Sequence, residues 1–185
     1  MDASLRSLGL CVLLFVAGAV PACSSPSSQA ADAGPSQQAE DLAVVDTLWR
    51  IIGVLATSGS WYSVGAVSAS GACEGGSYGV TGQITQSGPG YDVNLTFDLS
   101  GCAASGPQQT FAYTGRVIES GSFQGSGADQ TARMALSSSD LTVTGTYESA
   151  ALDGYSHCSA NVTGPAGVAY SGTLCGRTID DQPGP

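Results

Sequence analysis

The chain contains no lysine. Its five arginines face fifteen acidic residues, which leaves a formal net charge of −10. A surface of that sign repels nucleic-acid phosphates and anionic headgroups, so no nucleic-acid partner is expected. Histidine is nearly missing too. His157 is the only one, and any histidine-dependent mechanism rests on it alone. One histidine with paired cysteines leaves too few soft ligands for zinc or copper. Asp92, Asp98, Asp129 and Asp140 show no spacing like that of an EF-hand calcium loop. No glycine-rich loop stands at a strand-to-helix junction, where phosphate binding needs one. No cofactor and no metal is therefore expected. The apolar run Leu8–Val20 has 13 residues, too few to span a bilayer. Aromatic residues make up 7% of the chain, against 26 glycines, a balance that suits an extracytoplasmic β-protein.

A short pattern is present instead, and it occurs four times: apolar, Ser/Thr, Gly, polar, apolar. It reads Val80-Thr81-Gly82-Gln83-Ile84, Tyr113-Thr114-Gly115-Arg116-Val117, Val143-Thr144-Gly145-Thr146-Tyr147 and Tyr170-Ser171-Gly172-Thr173-Leu174. Strict alternation marks a strand with one buried face, which puts each glycine on that face between larger side chains. The glycines are 33, 30 and 27 residues apart (82 to 115, 115 to 145, 145 to 172), about one hairpin each. The spacing predicts a meander in which every second strand carries a notch.

The first residues read as a processing signal. Arg6 precedes the Leu8–Val20 run, which ends in Val20-Pro21-Ala22-Cys23. This resembles the lipobox of bacterial lipoproteins, in which a small residue precedes a cysteine that is diacylated and becomes the mature N-terminus. The alternative is ordinary secretory cleavage after Ala22. Cysteine parity favours the lipobox: Cys11 leaves with the leader, and acylation of Cys23 leaves an even four for two bridges. The resemblance implies a lipid bilayer as partner through Cys23. Ser24 after the cysteine implies retention at the outer membrane, with the domain periplasmic or surface-exposed. Residues 1–22 are thus the expected signal peptide and 23–39 a tether. The Ser/Pro/Ala-rich tether has no large apolar side chain to offset its ordering entropy, so disorder is expected there.

Residues 40–58 are expected to form an amphipathic helix. Leu42, Val45, Leu48, Trp49, Ile52 and Leu55 recur at helical spacing, Glu40 and Asp41 suit a helix N-terminus, and Gly59 can end it. Ile51–Leu55 would alternatively pair as a strand. Residues 60–178 are expected to be an antiparallel meander of about eight strands packed with the helix, as a curled sheet or a small barrel, with 179–185 a tail. Gly82, Gly115, Gly145 and Gly172 either form a trough for the helix or relieve crowding in a curved sheet.

The first hairpin is the best determined. Folding about Gly88-Pro89 sets Tyr78 against Leu99, Val80 against Phe97 and Ile84 against Val93. Cys73 and Cys102 then fall nearly opposite each other, on the outer face, and are expected to bridge. In the last hairpin, with its turn at 163–167, Cys158 and Cys175 are the remaining pair. Parity there places Cys158 inside and Cys175 outside, and a β-bulge near Ser159 would reconcile them. Residues 110–119 read as a strand, 120–130 as a loop or ragged tip, 132–136 and 140–148 as two further strands.

Gly75-Gly76-Ser77-Tyr78-Gly79 matches the nucleophile-elbow pattern of α/β-hydrolases, which needs a sharp strand-to-helix turn. Here the chain runs straight on into a strand, and the match reads as chance in a Gly/Ser-rich sequence. No catalytic residue is assigned. The expectation is a non-enzymatic envelope lipoprotein acting as a structural or interaction module. The alternative is a lipocalin-like carrier with a small apolar ligand in a cavity lined by Tyr78, Phe97, Tyr113 and Tyr147. A helix that fills the interior separates the two.

Overall fold

The computed structural model describes residues 36–124, 131–164 and 169–181. The expected signal peptide, lipobox and Cys23 lie outside the described residues, as does the tether up to residue 35.

Helix α1 spans Gln37–Ser58. It starts three residues before the expected residue 40, inside the expected tether, because Ser36 caps it: the Ser36 side chain accepts from the Ala39 N–H at 3.2 Å. At the other end the Gly59 N–H donates to the Leu55 carbonyl. Val44, Val45, Leu48, Trp49, Ile51, Ile52 and Leu55 are buried. No described helix is long and apolar enough to cross a membrane.

The strands are β1 (Gly65–Cys73), β2 (Gly76–Ser87), β3 (Gly90–Ser105), β4 (Gln109–Gln124), β5 (Thr131–Tyr147), β6 (Ala150–Ala151), β7 (Cys158–Thr163), β8 (Ser171–Leu174) and β9 (Arg177–Asp180). They form one nine-stranded antiparallel sheet in the order β1-β2-β3-β4-β5-β7-β8-β9, with the short β6 beside β5. The sheet is a meander and is open: β1 pairs only with β2 and β9 only with β8. Strand β1 starts at Gly65, later than the expected start of the β-domain at residue 60, and β9 takes in Ile179 and Asp180, part of the expected tail. Ile179 is 1% exposed, so the core extends to the last strand.

Register in the first hairpin is as read from the alternation, with Tyr78 opposite Leu99, Val80 opposite Phe97 and Ile84 opposite Val93. Cys73 and Cys102 are bridged, Cα to Cα 5.4 Å. They sit on the inner face, however, not the outer. Cys73 continues the inward series of Val67 and Ala69 in β1, and the β1–β2 turn at Glu74-Gly75 resets the count. In β3 a bulge between Leu99 and Cys102, with Gly101 at φ +68°, buries both residues. Cys158 and Cys175 are also bridged, Cα to Cα 4.7 Å. The expected bulge near Ser159 lies instead in β5, between Ser138 and Leu141. Ser138 holds it closed, its hydroxyl donating to the Arg116 carbonyl at 2.6 Å and accepting from the Asp140 N–H at 3.2 Å. Cys175 needs no face because it occupies the β8–β9 turn with Gly176.

The four glycines sit where the alternation puts them: Gly82 between Val67 and Leu95, Gly115 between Leu99 and Leu141, Gly145 opposite Phe111, Gly172 between Val162 and Ile179. They do not form a trough. Gly82 and Gly145 are exposed, the other two half-buried. A Cβ on Gly82 or Gly145 would collide with a carbonyl oxygen of the neighbouring strand, Asn94 or Thr110, and their φ of +144° and +136° suits glycine alone. The space is taken by adjoining backbone, the mark of a sharply bent strand. Gly121, at φ +147° in β4, is a fifth of the kind, in a stretch read as loop.

Candidate functional site

The helix is fastened to the inner face by polar groups at its N-terminal half. Asp41, 2% exposed, takes Arg177 at 2.7 Å from Nη2 and at 3.0 and 3.1 Å from Nε. Tyr155 donates its hydroxyl to Asp41 at 2.7 Å and accepts from Gln37 at 3.1 Å, and the Arg177 guanidinium lies 4.7 Å over the Tyr155 ring. Tyr113 donates to the Val44 carbonyl at 2.8 Å, Tyr170 to Asp46 at 3.0 Å, and Gln109 to Thr47 at 2.7 Å. The Asp41 hydrogen bond raises the Arg177 guanidinium, and burial, ahead of the Asp41 bond and charge, pushes the Tyr155 phenol up. The donors and acceptors of this seam are spent on one another, so its chemistry is attachment.

The four aromatic residues named for the carrier cavity are engaged with other side chains and with the helix among the described residues. Phe97 and Tyr113 are 0% exposed under the helix. Tyr78 accepts from the Trp61 indole at 3.3 Å, and the Tyr147 ring packs 6.5 Å from Phe111. Helix α1 covers Tyr113, which donates to its Val44 carbonyl.

His157 pairs with Asp140, Nδ1 to Oδ1 2.8 Å, with both side chains largely in solvent. Ser77 lies inside β2, separated by β3 and β4 from Asp140 in β5. The strand-to-helix elbow its motif requires is not formed, and serine and histidine are not brought together. No three His, Cys, Asp or Glu among the described residues are grouped to hold a metal ion.

One place on the inner face is different. Between the C-terminal half of α1 and the ends of β4 and β5 lies a cleft of about 500 Å³, lined by Trp49, Ile52, Tyr62, Glu119, Phe123 and Met134 among others. Strand alternation turns Glu119 inward with Tyr113 and Val117, and its cross-strand neighbours are Leu95 and Leu136. Glu119 is 6% exposed, and its Oε2 has no hydrogen-bond partner. The Nε1 of Trp49 is likewise buried without an acceptor. Burial pushes the Glu119 carboxyl up to about 7. Burial first, and the Glu119 charge second, raise the Tyr62 phenol well above its ordinary value. The sequence reading passed over Glu119, although it shares the parity of Tyr113 and Val117 and is the one charge in that inward series. Comparison with known proteins returns no match: no family model fits the chain, and no curated protein and no solved structure is significantly similar to it.

Proposed function

We propose that the chain is a lipid-anchored bacterial envelope protein, held to the outer membrane through acylated Cys23, whose β-domain is a non-enzymatic structural or interaction module. The observation that carries this reading is the cysteine pairing. Four cysteines are consumed in two bridges, which suits an oxidising compartment. Beside Cys11 of the leader, Cys23 alone is left over, directly after the small residue of the lipobox-like sequence. An unmodified thiol there would be an odd cysteine in an exported protein. Action at the surface is supported by the outer face of the sheet, which presents Asp92, Asn94, Asp98, Thr144 and Thr146 to solvent.

Mass spectrometry of the protein purified from its own membranes tests this. The expected mass is that of the chain from Cys23 with a diacylglyceryl group and both disulfides. A Cys23→Ser variant is expected in the soluble envelope fraction. A native N-terminus carrying no lipid, with Cys23 free or absent, overturns the reading.

A further inference from the structure

Two acids are buried among the described residues, Asp41 and Glu119, and they are treated in opposite ways. Asp41 has Arg177 on it, but no cation among the described residues pairs with Glu119. Arg50 and Arg133 are exposed, and Arg116 pairs with Asp98 on the outer face. A carboxylate taken out of water stays charged only when something pairs with it. The wall around it is aromatic and aliphatic and includes Trp49, whose indole N–H is buried without an acceptor. Aromatic faces attract cations within about 6 Å of the ring centroid.

From this juxtaposition we propose that the cleft binds a small organic amine. Its ammonium pairs with the Glu119 carboxylate, its apolar body lies against Trp49, Tyr62, Phe123 and Met134, and an oxygen close to the amine accepts from the Trp49 indole. The volume, about 500 Å³, falls within the usual range for small-molecule pockets of roughly 300–1,000 Å³. The net charge of −10 favours encounter with cations over anions. The proposal does not rest on the membrane anchor and stands or falls separately from it.

Binding of this kind has a pH signature. The ammonium needs the ionised carboxylate, so affinity is expected to rise about tenfold per pH unit up to about pH 7, where Glu119 titrates, and then to level off. An alkylammonium, like lysine, stays charged to about pH 10. Tyr62 is the other titratable group lining the cleft among the described residues, and its phenol, pushed upward, stays neutral over the range.

The probes are 2-phenoxyethylamine and its uncharged analogue 2-phenoxyethanol, titrated into the purified mature protein in neutral detergent by calorimetry. Binding is also followed at the Trp49 indole N–H resonance. The amine is expected to bind saturably, shift that resonance and show the rise to about pH 7. The alcohol should bind at least tenfold more weakly, and Glu119→Gln should weaken the amine tenfold or more. Should Glu119→Gln fail to fold, the wild-type pH profile and the amine–alcohol contrast decide alone. No saturable amine binding, an affinity flat with pH, or equal binding of amine and alcohol overturns the proposal.

Discussion

Glu119 is comfortable only as the neutral acid, and that makes its energetics measurable. In the unfolded chain its carboxyl titrates near 4.5, in the folded one at about 7. Between those values only the native state holds the proton, so the stability that this group contributes is complete below pH 4.5 and lost as pH climbs to about 7. The gap corresponds to about 3 kcal/mol. Urea unfolding at acid and at mildly alkaline pH should therefore show the wild type losing about 3 kcal/mol relative to Glu119→Gln, which carries no such proton. A difference between the two proteins that is constant with pH would refute it. Glycines separate just as sharply. Gly145→Ala drives a Cβ into the Thr110 carbonyl at a φ of +136° and should cost about 3 kcal/mol or more. Gly53→Ala meets nothing within 4 Å in a helix interior and should gain about 0.5–1 kcal/mol. Chemical denaturation of the two variants checks both signs.

At the scale of elements, the question is what holds α1 to the sheet beyond its apolar stripe. The Asp41–Arg177 pair is buried at the acid and 29% exposed at the arginine side chain. Asp41→Ala strands the guanidinium and the Tyr155 hydroxyl together. It should cost about 2–3 kcal/mol after allowance for solvent at the arginine. Arg116→Ala breaks a pair of similar length whose side chains are 65% and 56% exposed, and should cost less than about 1 kcal/mol. Thermal unfolding that ranked the two variants equally would remove Asp41 as a fastening. The elements themselves were legible to uneven depth. Register in β2 and β3 could be read because Gly88-Pro89 fixes the turn and nothing interrupts the alternation before Leu99. Beyond Leu99 the Gly101 bulge shifts the parity of Cys102, and the Glu74-Gly75 turn shifts that of Cys73, so alternation pairs the two cysteines but assigns them the wrong face. The Ser138 bulge did the same to β5, so one long strand read as two. The extra turn of α1 hid because Gln37, Gln38 and Ala39 carry no apolar signal and only the Ser36 cap announces them. Glu119 hid for a different reason: alternation says which way a side chain points, but not that no arginine will meet it.

For the whole molecule, an open sheet has two ends, and an unpaired strand edge is the part of a β-protein that frays first. The two disulfides lie at those ends. Cys73–Cys102 ties the β1–β2 turn to β3, and Cys158–Cys175 ties β7 to the β8–β9 turn, across sequence separations of 29 and 17. The middle of the sheet, β3 to β5, has long ladders on both sides and Phe97, Phe111, Tyr113 and Leu141 at 0% exposure, and no disulfide joins these three strands to one another. Loop-closure entropy gives each bridge about 3–4 kcal/mol. Because both staples act on the ends, their loss should be felt there before it is felt globally. Hydrogen exchange on the reduced and alkylated protein is expected to show β1, β8 and β9 amides losing protection first, while β3 and β4 amides exchange only with global unfolding. A uniform loss of protection along all strands would mean that the bridges support the whole sheet through one cooperative unit. The helix is pinned to β9 by the Asp41–Arg177 pair and to β4 through Tyr113 and Gln109, so its first turns at Asp41 should loosen with the β9 edge while the rest stays with the centre, which makes the Tyr155 and Arg177 resonances the ones to watch.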